Sequence, residues 1–127
     1  EAGRAVARAG AEDLKVLQLE LGGNNPVLVL DDADLEVTAD GIVDGMTKFN
    51  GQWCEGPGKI LVQRNLLPPL LECLTDRLSA LVVGHSLDET TSVGPISNGP
   101  QLEVLRRGIE RLRDHGADIR QPRGCPT

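Results

Sequence analysis

The sequence predicts an α/β fold with a mostly parallel sheet and flanking helices, on three observations. Segments with strand-like and helical periodicity alternate along the chain. One continuous apolar run, residues 26–30, is of the kind that is buried on both faces in parallel sheets. The chain has 127 residues, of which 39% are hydrophobic, and this is enough for one core without disulfide bonds.

The first quarter of the chain is predicted to form one helix and two strands. Residues 1–13 place small apolar side chains at helical spacing among charged ones. Residues 16–21 alternate apolar and polar side chains, which is typical of a half-buried strand, and two glycines end that strand. Residues 26–30 form the second strand.

A longer helix is predicted from residue 35 to residue 49. The aspartates within residues 31–34 offer N-cap carboxylates where the periodicity changes from strand to helix. Gly41 and Gly45 lie inside this helix, where each costs about 1 kcal/mol relative to Ala. Such a cost indicates a close approach of another backbone on that face. One stripe is expected to face the core, namely Leu35, Ala39, Ile42, Val43, Met46 and Phe49.

The second half of the chain is predicted to form a strand and two helices. The strand covers residues 59–63. Residues 68–82 form a helix because leucines recur at helical spacing and prolines are tolerated in a first turn. The last helix covers residues 101–115, and Gly116 is its natural C-cap. Residues 120–127 contain turn residues and are expected to be loose.

Charge and composition exclude several classes of partner. The formal net charge is −6, and the basic residues are scattered, so phosphate backbones are poor partners. Trp53 and Phe49 are the only aromatic residues, which leaves no stacking surface for single strands. Apolar runs are far shorter than the roughly 18 residues that cross a membrane, and residues 1–10 do not resemble a signal peptide. We therefore expect a cytoplasmic protein with no nucleic-acid and no membrane partner.

Three cysteines are present, and their spacing argues against both a disulfide framework and a metal site. Their number is odd, and no short spacing typical of zinc ligands occurs. Cys73 lies among leucines on a predicted helix stripe, so a packed core thiol is expected. Cys125 lies in the predicted loose tail and has no general base nearby in the sequence. Cys54 differs from both, because glycines flank it at the end of a predicted element.

Two glycine-containing loops hold the candidate chemistry. Residues 19–23 include Glu20, and residues 51–58 include Cys54. A cysteine in a tight turn can expose its own N–H, which stabilises an oxyanion on an attacked carbonyl, and its thiolate is a strong nucleophile. Taken separately, each residue has a purely structural alternative. Cys54 would then be a small buried hydrophobe, and Glu20 an exposed edge carboxylate.

Together, the two loops and their flanks resemble the NAD(P)-dependent aldehyde dehydrogenase superfamily. The stretch LELGGNNPVLVLDDADL at residues 19–35 is followed, 34 residues after Glu20, by Cys54 in FNGQWCEGPGKILV. In that family an E-L-G-G loop supplies the general base and a G-Q-x-C loop the nucleophile. The likeness continues through V-G-P-I-S at residues 93–97 and the last helix, so it covers nearly the whole chain.

The resemblance implies a mechanism. Cys54 attacks an aldehyde to give a thiohemiacetal, and loss of hydride to NAD or NADP leaves a thioester. Glu20 activates the water that hydrolyses this thioester, which favours release of a free acid over transfer to coenzyme A. Leu21 and Gly22 are implied to lie near the cofactor, and Gly3 resembles the tail of the family's coenzyme loop.

The resemblance also implies a substrate tunnel beside the nucleophile, lined by Trp53 and Glu55. Trp53 has the alternative of a packed indole. Glu55 is unusual, because a negative charge next to a thiol opposes its ionisation. Its side chain therefore points away, or this chain is tuned differently. The resemblance implies no metal.

The likeness predicts the domain organisation as well. Residues 1–22 match the C-terminal remnant of the coenzyme-binding domain, and residues 23–127 match part of the catalytic domain. Most of the coenzyme-binding half, a second oxyanion donor and a ribose-binding Glu are missing. We therefore expect a fragment that cannot oxidise aldehydes alone, derived from a parent that is a homodimer or homotetramer.

Two alternatives to a dehydrogenase stay open on the sequence. The chain is either a non-catalytic truncated remnant that serves in oligomerisation or binding, or a cofactor-free cysteine esterase. The presence of both Cys54 and Glu20 argues against the remnant. The esterase predicts turnover of an activated ester that disappears in Cys54→Ala and in Glu20→Gln.

Overall fold

The computed structural model describes residues 1–123 and has the alternating order expected of an α/β fold. Two parallel strands pair in a register that places Val27 opposite Ile60 and Val29 opposite Val62. The predicted parallel sheet and flanking helices are therefore confirmed. The elements are α1 (Ala2–Ala11), β1 (Asn25–Val29), α2 (Leu35–Thr47), β2 (Pro57–Val62), α3 (Leu67–Ser79) and α4 (Gly99–Asp114).

The core lies between one face of the sheet and the helices α2 and α3. Val29 from β1 and Leu70 from α3 are each only 1% exposed, and burial of such a side chain stabilises a fold by about 1.5–3 kcal/mol. Leu28 and Leu30 point to the other face of β1 and are exposed. The buried residues are Val29, Ala39, Ile42, Val43, Leu70 and Leu74.

Helix α2 begins where the sequence predicts and ends earlier. The carboxylate of Asp34 accepts hydrogen bonds from the backbone N–H groups of Glu36 (3.0 Å) and Val37 (3.1 Å), which confirms the N-cap. A 3₁₀ turn follows, in which Phe49 and Asn50 have φ values of 50° and 58° that end the helix. The helix was predicted to include Phe49 on its core stripe, and this is wrong, because the ring is 73% exposed.

Of the two glycines inside α2, one makes the predicted close contact. A Cβ placed on Gly45 would lie 3.0 Å from Cδ of Pro57, at the start of β2. A Cβ on Gly41 would meet nothing within 4 Å among the described residues, so the prediction is wrong there. Gly45 therefore lets α2 approach the end of the loop that precedes β2.

The strand predicted for residues 16–21 does not form. This segment alternates apolar and polar side chains as a strand would, but it pairs with no strand among residues 1–123. It packs on α1 instead. A Cβ on Gly3 would lie 2.7 Å from Cδ1 of Leu21, and one on Gly10 would lie 2.9 Å from Cδ2 of Leu17.

The last two helices agree with the sequence except at the end of α3. That helix ends at Ser79 instead of residue 82, because the next residues pair elsewhere: Val82 O accepts from Ser92 N at 2.8 Å. Asn98 caps α4 with a hydrogen bond to Gln101 N at 2.8 Å. Gly116 follows α4 with a φ of 80°, as predicted for its C-cap.

The remaining observations concern the surface and the C-terminus. Within residues 1–123, no helix combines the length and the apolar character that a membrane span requires. The loose tail was predicted for residues 120–127, of which residues 124–127 lie outside the described part of the chain. Cys125 is among them.

Candidate active site

The backbone holds Cys54 in a tight turn between α2 and β2. Gly56 N donates to Trp53 O at 3.1 Å, so Cys54 and Glu55 occupy the two central positions of this turn. The Cys54 side chain is exposed. Its backbone N–H donates to none of the carbonyl groups within residues 1–123. The turn therefore exposes Cys54 and, within residues 1–123, leaves its N–H without a hydrogen-bond partner.

The loop that contains Glu20 ends against this turn. A Cβ placed on Gly23 would lie 3.1 Å from the carbonyl oxygen of Cys54, a distance that favours glycine at this position. Asn25, two residues later, donates through Nδ2 to Cys54 O at 2.9 Å and to Gly56 O at 3.3 Å. Sequence reasoning missed Asn25, although its place two residues after the double glycine was a signal.

Two further amide side chains tie the cysteine loop to the segment that precedes α4. Asn50 Oδ1 accepts a hydrogen bond from Gly94 N at 2.8 Å, and Gln52 Oε1 accepts one from Ser97 N at 2.9 Å. These bonds bring the V-G-P-I-S segment, residues 93–97, next to Cys54. The two loops and this segment enclose a cleft of about 420 Å³ that is lined by Gly22, Gly23, Gly51, Gln52, Trp53, Cys54, Ser97, Gln101 and Leu105.

Trp53 lines the cleft and is also packed. Its ring lies 6.5 Å from that of Phe49, and Lys48 Nζ lies 5.3 Å from its centroid, within range of a cation–π contact. Its two sequence-based alternatives, a wall residue and a packed indole, are thus compatible. Glu55 is exposed and is not among the residues that line this cleft.

Glu20 is near the cleft along the chain, but its side chain is held outside it. The residue is exposed, and its carboxylate accepts a hydrogen bond from Gln18 Nε2 at 3.2 Å. Gly22, two residues later, lines the cleft, and a Cβ there would meet no atom of the described residues within 4 Å. Leu21 and Gly3 pack on each other away from the cleft.

Cys73 lies in a different environment, where α2 packs on α3. Its Sγ lies 3.4 Å from Glu36 Oε1, and Arg77 binds Glu36 at 2.6 Å and pairs with Asp40. Burial, followed by the hydrogen bond to Glu36, raises the pKa of the Cys73 thiol. The Arg77 guanidinium lowers the pKa of Glu36. The thiol is packed against the core, as its place among leucines predicts.

The residues of the cleft can hold a small ligand, but their side chains carry no charge. A volume of about 420 Å³ is within the usual range for ligand pockets. No group of three or more His, Cys, Asp or Glu residues is arranged for a metal ion within residues 1–123.

Comparison with known proteins identifies the family. The model of the aldehyde dehydrogenase family matches residues 1–125. The chain is 37% identical over 125 residues to betaine aldehyde dehydrogenase 1 of Rhizobium meliloti (strain 1021), covering 98% of this chain and 26% of that protein. It is 34% identical over 119 residues to alpha-ketoglutaric semialdehyde dehydrogenase of Bacillus subtilis (strain 168), covering 94% and 24%.

A solved structure gives the same result. The fold superimposes with a TM-score of 0.86 and 30% identity on an aldehyde dehydrogenase from Bacillus cereus, solved as its NAD⁺ complex, and covers 93% of this chain and 24% of that one. The chain thus spans about a quarter of the length of the relatives it matches. It belongs to the aldehyde dehydrogenase family.

Proposed function

We propose that this chain supplies the nucleophile loop and the base loop of an enzyme that oxidises an aldehyde to a carboxylic acid with NAD or NADP. One observation supports this most strongly: the end of the ELGG loop, at Gly23, lies against the carbonyl of Cys54. Residues from both loops therefore line a single cleft. A base and a nucleophile that act on the same carbon atom must both reach it from one cleft.

Cys54 performs the first step. Its sulfur attacks the aldehyde carbon, and the carbonyl oxygen becomes an oxyanion next to the backbone N–H of Cys54, which has no partner within residues 1–123. Cys54 loses its thiol proton to solvent before the attack, and hydride from the resulting thiohemiacetal would pass to NAD or NADP, which leaves a thioester on the sulfur. The exposed side chain at the centre of a turn is accessible to a substrate that enters the cleft.

Glu20 performs the second step. Its carboxylate takes a proton from a water molecule, which attacks the thioester and releases the acid and the free thiol. This requires the side chain to leave Gln18, its partner in the structure. The exchange is inexpensive, because the hydrogen bond is exposed and such bonds contribute only about 0.5–1.5 kcal/mol.

The cleft fits the nicotinamide end of the cofactor rather than the whole dinucleotide. Gly22 leaves open space on its wall, so a flat ring can approach the backbone there. The side chains that line the cleft offer no cation for a pyrophosphate. When bound, NAD or NADP would supply the hydride acceptor for the thiohemiacetal formed on Cys54. Gly22 would hold the nicotinamide ring. Leu21 and Gly3, which do not line the cleft, are weaker candidates for contact with the cofactor.

We also propose that the chain alone does not oxidise aldehydes. The segment 1–22 packs on itself, through α1 and Leu21, rather than on the core between the sheet and α2 and α3. This is the behaviour expected of a coenzyme-domain remnant joined to a partial catalytic domain at residues 23–127. The assembly that we propose for the whole enzyme, a homodimer or homotetramer, rests on the sequence resemblance alone.

The test replaces the matching quarter of the Rhizobium meliloti enzyme with this chain. We expect the purified chimera to reduce NAD or NADP with an aldehyde from a panel that includes betaine aldehyde. Cys54→Ala should abolish this activity, and Glu20→Gln should lower it about 10²- to 10⁴-fold.

The matched control is Cys73→Ala, which removes a thiol outside the cleft and should leave the turnover unchanged. Activity that survives Cys54→Ala would overturn the proposal. The isolated chain, tested with the same panel, should form no NADH or NADPH. Hydrolysis of an activated ester by the isolated chain with repeated turnover would favour the cofactor-free esterase instead.

A further inference from the structure

Asn25 binds the Cys54 turn but takes no part in the chemical steps proposed above. Its single Nδ2 group donates to the carbonyl oxygens of both Cys54 (2.9 Å) and Gly56 (3.3 Å). These carbonyls lie on either side of Glu55, in the second half of the turn that presents the nucleophile. The turn's own closing bond, from Gly56 N to Trp53 O, is 3.1 Å long.

The hydrogen bonds of Asn25 act on the backbone and leave the thiol free. In a turn, the outward carbonyls of the central residues have no partner within the turn itself, so they can rotate with their peptide planes. Asn25 binds one of these carbonyls, that of Cys54, together with the carbonyl of Gly56 at the end of the turn. It does so from β1, a strand whose other end lies in the core. The orientation of the Cys54 backbone is thereby connected to a rigid element.

We infer that Asn25 is a positioning residue that orients the Cys54 turn so that the Cys54 N–H faces the oxyanion. The inference rests on the proposed function, because it takes Cys54 as the nucleophile. The carboxamide of Asn25 is a neutral donor that reaches both carbonyls. The neighbouring Asn24 lies beside Gly58, so its amide does not serve the same carbonyls.

The test compares two reactions of the same thiol in the full 127-residue chain. In the first, Cys54 attacks p-nitrophenyl acetate: an S–C bond forms, the carbonyl carries an oxyanion, and p-nitrophenolate leaves as the C–O bond breaks. In the second, iodoacetamide alkylates Cys54 by displacement of iodide, without an oxyanion. The ratio of the two rate constants therefore reports on oxyanion stabilisation and cancels changes in accessibility or thiol ionisation.

We expect Asn25→Ala to lower this ratio about tenfold. The effect is smaller than the 10²- to 10³-fold loss that follows removal of an oxyanion donor itself, because the N–H remains and only its orientation is released. Asn24→Ala, the matched control, should leave the ratio within a factor of two of the original chain. Asn25→Ser keeps a shorter donor and should give an intermediate ratio.

Far-UV circular dichroism identifies variants that fail to fold. If one of the two Asn25 variants does not fold, the ratio measured for the other one tests the positioning role. A ratio that Asn25→Ala and Asn25→Ser leave unchanged overturns the positioning role while the proposed function stands. If Cys54 of the original chain is acylated no faster than Cys73, the proposed function fails and the role of Asn25 fails with it.

Discussion

Cys54 and Cys73 differ in which of their groups the surrounding side chains bind: the backbone around Cys54, and the thiol itself at Cys73. Around Cys54, the neutral amides of Asn25 and Gln52 bind backbone groups of the loop and its neighbours, and the thiol itself stays exposed. At Cys73, the thiol lies against the carboxylate of Glu36 and packs beside the core. A reactive sulfur needs a rigid backbone and a free side chain, whereas a structural sulfur is bound through the side chain.

The same difference appears in the electrostatics of the two regions. Burial and the Glu36 carboxylate raise the pKa of Cys73, which keeps it a thiol at neutral pH. The Arg77 guanidinium stabilises Glu36 as a carboxylate, so the negative charge that opposes ionisation of Cys73 persists over the physiological range. The region around Cys73 is thus a packing interface between helices.

The largest expected effect on the free energy of unfolding comes from a substitution in the core beside Cys73. Leu70→Ala removes a side chain that is 1% exposed on the same helix, and we expect a loss of about 2–5 kcal/mol in the free energy of unfolding. Leu28→Ala, on the 69% exposed side chain of β1, is the control and should cost far less. Urea denaturation followed by circular dichroism measures both. Equal losses would show that the assigned core is wrong.

A smaller effect on stability is expected when the ion pairs of Arg77, next to Cys73, are removed. Arg77→Met removes the partner that lowers the pKa of Glu36 below its ordinary value of 4.5. A carboxylate with a lowered pKa stabilises the fold fully above that ordinary value, and the contribution is lost as the pH falls through the lowered pKa.

The urea midpoint of Arg77→Met should therefore lie below that of the original chain at pH 7, and the gap should close as the pH falls below 4.5. Arg64→Met, which removes an exposed arginine between β2 and α3, should show no such pH-dependent gap. A gap that stays constant down to acid pH would contradict the assigned role of the Glu36 and Arg77 pair.

The parts of the fold that local patterns determine could be predicted from the sequence. The periodicity of α2 identified Ala39, Ile42 and Val43, all of which are buried, and the cap at Asp34 followed from its position. The strand predicted at residues 16–21 failed because a strand needs a partner, which a local pattern does not reveal.

In the candidate site, too, local patterns could be predicted from the sequence and long-range contacts could not. The loops around Glu20 and Cys54 were identified from their residue types and a family resemblance. Asn25 was not, because its contact with Cys54 joins residues 29 positions apart and depends on the pairing of β1 with β2. The positive φ of Phe49, which turns its ring away from the core, is likewise set by the tertiary path of the loop.

The most direct test of the account measures how fast iodoacetamide modifies each cysteine in the folded chain near neutral pH, with peptide mass mapping to separate the sites. The account predicts that Cys54, exposed in its turn, is alkylated at least about tenfold faster than Cys73, whose pKa is raised by burial. Equal rates, or faster modification of Cys73, would contradict the assignment of Cys54 as the nucleophile.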